Sequence, residues 1–68
     1  MANSITVLEV LSQSEKSWED AASRAVADFA GRMDVKSVYI HHLEAVVENG
    51  KVVEYRINAK LSGIMQNA

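Results

Sequence analysis

The apolar residues of the chain keep two rhythms. Between Ser17 and Met33, the residues Trp18, Ala22, Ala25, Val26, Phe29 and Met33 recur three or four positions apart, which gathers them on one stripe of a helix. From Val52 to Leu61 the period falls to two. Val53, Tyr55, Ile57, Ala59 and Leu61 alternate there with Glu54, Arg56, Asn58 and Lys60, the pattern of a strand with one apolar and one polar face. Ile5 to Leu11 and Val35 to Val47 are rich in β-branched residues and read as first and second strands. The predicted order is β-α-β-β.

The boundaries carry their own signals. Ser17 is placed to cap the helix through its hydroxyl, and Glu19 and Asp20 set negative charge at the positive end of the helix dipole. Asp20 also stands where the second member of a capping box sits. Gly31 weakens the last turn, and at Met33-Asp34 the pattern changes to strand alternation. About sixteen helical residues span roughly 24 Å, enough to cover one small sheet. Ser12 to Lys16 is polar and reads as a connection. Glu48-Asn49-Gly50-Lys51 reads as a hairpin turn, since Asn-Gly tolerates the positive φ angles of type I′.

A helix between the first two strands makes them parallel by a right-handed crossover. The hairpin makes the third antiparallel to the second. With the third strand between the other two, in the order 1-3-2, every neighbouring pair is antiparallel. The expected fold class is therefore α+β: a three-stranded antiparallel sheet with one helix on one face and the other face open.

Length and charge narrow the function. Residues 1–68 have room for one domain, and a chain this short buries only about 60% of the surface its unfolded form exposes. There is no cysteine to staple it or to hold a metal as thiolate. Oligomerisation is the remaining device, and 49% hydrophobic residues agree with apolar surface meant for neighbours. A net charge of −2 leaves no basic stripe for phosphates, so nucleic acid is not an expected partner. No apolar run is long enough to span a bilayer, and the N-terminus lacks a basic signal region. A cytoplasmic protein is expected, without a membrane partner.

Val7-Leu8-Glu9-Val10, Ser14 with Ser17-Trp18-Glu19-Asp20-Ala21, and Glu48-Asn49-Gly50-Lys51-Val52 running on to Tyr55 together resemble the dodecin family of small flavin-binding proteins. The resemblance covers nearly the whole chain. It implies a hollow homododecamer that stores or sequesters flavin, riboflavin or FMN, between symmetry-related subunits. Flavin-binding members of that family carry a stacking tryptophan near the start of the second strand and a glutamine in the third that bonds the ring edge. Counted from the hairpin, those positions are Ser37 and Arg56 here. Tyr39, on the same strand face as Ser37, is the residue able to stack in its place. The family's Gly-Phe ending of the third strand is replaced by Ser62-Gly63-Ile64-Met65. The resemblance therefore implies a flavin site at Ser37, Arg56 and Tyr39 with weakened affinity. The alternative is a shell of the same fold that binds no flavin, with ions at its subunit junctions.

Other residues are explained without chemistry. Trp18 begins the apolar stripe and is expected in the core or at a subunit contact rather than as a stacking platform. His41 and His42 are neighbours on a strand, so regular alternation points them to opposite faces and away from a shared ion. Glu44, Glu48 and Glu54 read as a solvated face, with no loop of calcium-binding spacing. There is no cysteine nucleophile, glycine-rich phosphate loop or recognisable triad, and an enzyme is not expected.

Overall fold

The computed structural model describes residues 4–66. It contains β1 (Thr6–Ser14), α1 (Trp18–Phe29), β2 (Met33–Glu48) and β3 (Lys51–Met65). The sheet order is β1-β3-β2 with both pairs antiparallel, the order expected from the sequence. Asn49 and Gly50 turn the hairpin with φ of 52° and 75°, both in the left-handed region that a type I′ turn needs.

Three boundaries differ from expectation. The first strand runs on to Ser14 instead of ending at Leu11, because its serines have partners on the helix side. Ser12 Oγ donates to the Ala21 carbonyl at 2.8 Å, and Ser14 Oγ donates to Asp20 Oδ2 at 2.6 Å; a hydroxyl so paired is buried at little cost. The helix ends at Phe29 rather than Met33. Ala30 caps it, and the Arg32 N–H closes a tight turn on the Phe29 carbonyl at 2.9 Å. Met33 opens β2 and is fully buried all the same, so its place on the helical stripe was a coincidence of spacing. The third strand extends beyond Leu61 to Met65.

Ser17 caps α1 as expected: its backbone is extended, and Oγ accepts from the Asp20 N–H at 2.9 Å. The Asp20 carboxylate takes hydrogen bonds from Ser14 and from Arg24 Nε, the latter at 2.8 Å. These bonds, that from Ser14 foremost, hold its carboxyl below the usual carboxylate value.

The core lies between α1 and the near side of the sheet. Ala21 meets Ile57 and Ala59; Ala25 meets Met33 and Leu61. Ala21, outside the stripe read from the sequence, is at the centre of the contact, while Trp18, Ala22, Val26 and Phe29 flank it half-buried. Alanines at the contact let the helix axis approach the strands closely. The radius of gyration is 13.9 Å, against about 11 Å for a compact domain of this length. The long β2–β3 hairpin thus reaches past what one helix can cover. Among the described residues no helix is long and apolar enough to cross a membrane.

Candidate functional site

The face of the sheet turned away from α1 is built in rows, one side chain from each strand. Register places Gln13, Arg56 and Glu44 in one row, Leu11, Asn58 and His42 in the next, then Glu9, Lys60 and Tyr39, and finally Val7, Ser62 and Ser37. The central strand supplies a polar residue to every row, and the edge strands supply most of the apolar surface. Leu11 is 81% exposed and Tyr39 64%.

A cleft of about 660 Å³ lies on the first two of these rows, within the range of small-molecule sites. Arg56 lines it and is held from both edges. Its Nε donates to Gln13 Oε1 at 3.2 Å, and its Nη1 lies 3.7 Å from Glu44 Oε1. The pair with Glu44 is solvent-exposed and contributes little to stability; its effect is to aim the guanidinium. Asn58 lines the same cleft, and its Oδ1 is shut off from solvent with no hydrogen-bond partner among the described residues. The cleft thus combines the exposed apolar flank of Leu11, the His42 ring, fixed donors on Arg56 and the side chain of Asn58, whose Oδ1 would have to turn to meet a ligand. A planar heterocycle with carbonyls and a ring N–H on one edge matches that set.

Of the three residues expected at a flavin site, only Arg56 lines this cleft. Ser37 and Tyr39 do share the open face, but Ser37 pairs with Ser62, six residues from Arg56 along β3, which is about 20 Å. The Ser37 and Ser62 hydroxyls bond each other across the strands. One chain therefore does not bring Ser37 and Arg56 to one ligand. Gln13, Leu11, His42 and Asn58 were missed by sequence reasoning. Gln13 lay in a stretch read as a connection, and Asn58 stood only as one of the polar residues alternating along the third strand; its place two residues from Arg56 was the available signal.

The histidines also depart from expectation. Register shifts between Ile40 and His42, so His41 is the extra residue of a bulge. The His41 and His42 rings approach to 4.5 Å between centroids, and Tyr39 lies 6.1 Å from His41. Alternation fails where a bulge interrupts it, and the two rings are neighbours instead of opposed. Among the described residues, no group of three or more His, Cys, Asp or Glu is placed to hold a metal ion. Trp18 packs half-buried against the core, edge-on to Tyr55 at 5.0 Å with its Nε1 donating to the Glu44 carbonyl at 3.0 Å. That bond ties the first turn of α1 to the strand segment that supplies Glu44 to the cleft.

Residues 5–63 match the family model described as Dodecin. Among solved structures, the chain is similar to the dodecin of Streptomyces coelicolor, with 18% identity and a TM-score of 0.84 over 97% of this chain and 96% of that one. At that identity the likeness concerns the fold. No curated protein matches the chain.

Proposed function

The chain belongs to the dodecin family of non-enzymatic flavin-binding proteins, and from that premise we propose that it forms a hollow shell of twelve copies and holds riboflavin or FMN at the open-face cleft. The observation that carries this reading is the cleft itself, sited on Arg56, the position from which the family pattern reads the flavin ring edge. Its volume and its mixture of an apolar flank, fixed donors and an amide that can turn toward it suit the ring system. Arg56, Asn58 and Gln13 would hold the polar edge, and Leu11 and His42 would flank the ring. The bound flavin would supply its redox chemistry; the role of the chain is to store or sequester it, in the cytoplasm.

Ser37 and Arg56 lie too far apart in one chain for a single ligand, so any site that uses both takes them from different copies. The elongated shape and the uncovered hairpin support such an assembly. Affinity is modest on this reading. Ser37 offers no aromatic surface, and stacking on an aromatic side chain is worth about 1–3 kcal/mol per ring, taken from nucleic-acid bases.

Quenching of riboflavin fluorescence on titration with protein tests the proposal. Dissociation constants above micromolar are expected, with Ser37→Trp tightening binding by roughly five- to 150-fold. Sub-micromolar binding by the unmodified chain would overturn the weak-affinity reading, and no binding at millimolar protein would overturn the flavin site.

A further inference from the structure

Asn58 sits in the middle of the central strand, between Leu11 and His42 in its row and two residues from Arg56. Nearly all buried polar atoms in folded proteins have a partner, and one without a partner carries its desolvation cost uncompensated. The Asn58 Oδ1 is such an atom, and it belongs to a side chain that lines the cleft. Its soft χ2 torsion lets the amide turn toward the cleft. Arg56 cannot complement a ring imide alone, since a guanidinium only donates. With Asn58 beside it the set is complete: one acceptor for the imide N–H and donors for the carbonyls that flank it.

We propose that Asn58 reads the ring imide of the bound flavin, its Oδ1 accepting from the imide N–H. The role depends on the cleft holding flavin. It moves edge recognition two residues along the same strand face from the family's glutamine position, which Arg56 occupies. It also implies a trade: the unpartnered oxygen costs stability in the ligand-free protein and is satisfied when ligand arrives.

Two probes separate this from a merely structural asparagine or one satisfied by water. Riboflavin and 3-methylriboflavin, which lacks the imide proton, are titrated against the unmodified protein and Asn58→Leu. The unmodified protein should prefer riboflavin by about tenfold or more. Asn58→Leu should bind riboflavin weakly and lose the preference, the non-additive result expected of partners in one bond. Its ligand-free unfolding midpoint should be equal or higher, because the orphan acceptor is gone. Equal affinity of the unmodified protein for both flavins overturns the role of Asn58 while leaving the flavin site standing, and that comparison needs no variant to fold. A preference retained in Asn58→Leu overturns it as well. If neither flavin binds the unmodified protein at millimolar concentration, the flavin site itself falls, and the role of Asn58 with it.

Discussion

On the helix side of β3, Ile57, Ala59 and Leu61 are at most 2% exposed, while Arg56 and Lys60, one residue away on the other side, stand in solvent. The same strand thus presents a finished surface and an unfinished one. The finished side is closed by α1 from within the chain, and its residues are small or aliphatic because the helix must lie close. The unfinished side keeps Leu11, Val7 and Tyr39 exposed and leaves Asn58 with an unpaired oxygen. Exposed apolar groups beside an orphan acceptor leave room for partners outside the chain, and the shell of copies with flavin proposed above would supply both kinds.

Variants of the closed side should break the fold in order of how much packing they remove. Leu61→Ala deletes a fully buried side chain and should cost about 2–5 kcal/mol in urea unfolding at constant oligomeric state. A cost under 1 kcal/mol would mean that the helix-side core does not hold the chain together. Gly63 comes next. It pairs with Val35 across the sheet, and an added Cβ would run into the Asp34 carbonyl and lie 2.9 Å from Val35 Cα. Both obstacles are backbone and cannot rotate away, so Gly63→Ala should cost about 1–3 kcal/mol. An unchanged midpoint would show that β2 and β3 can part there freely.

Two smaller effects concern the junction where the closed side begins. Ser17→Ala removes the acceptor of the Asp20 N–H and should cost about 1 kcal/mol; no change in thermal midpoint would assign the cap elsewhere. Ser14→Ala should show mainly near neutral pH and fade in acid. Ser14 is the first cause of the lowered Asp20 value, ahead of Arg24. A carboxyl whose folded value lies below its unfolded one adds stability that is whole above about 3.8 and fades as pH falls through the folded value. The stability gap between Ser14→Ala and the unmodified protein should therefore narrow as the pH drops past that point. A gap independent of pH would show that the Ser14–Asp20 bond is not what protects the carboxylate.

The closed side was largely legible in the sequence. The helix cap and the Asn49-Gly50 hairpin follow from local rules that this chain obeys without conflict, and the strand order is the one that makes every neighbouring pair antiparallel. What escaped was polarity with a hidden partner. Ser12 and Ser14 looked like loop because their hydroxyl partners on α1 lie outside any local window. The bulge at His41 escaped for a related reason: alternation sets side-chain direction only while register holds, and nothing in Tyr39-Ile40-His41-His42 marks the shift. The polar face of the third strand was legible too, but the cleft on it was legible only at Arg56, through family resemblance. Its other cleft residues come together through register across three strands, and a single strand read alone cannot reveal a row.

The central claim, that the open side is completed by other copies and by flavin, is tested most directly by a native mass measurement in the presence of riboflavin. The account predicts a species near twelve times the 7.5 kDa of one chain, shifted upward by bound flavin as riboflavin is raised. A 7.5 kDa species alone, unchanged at millimolar riboflavin, would contradict it.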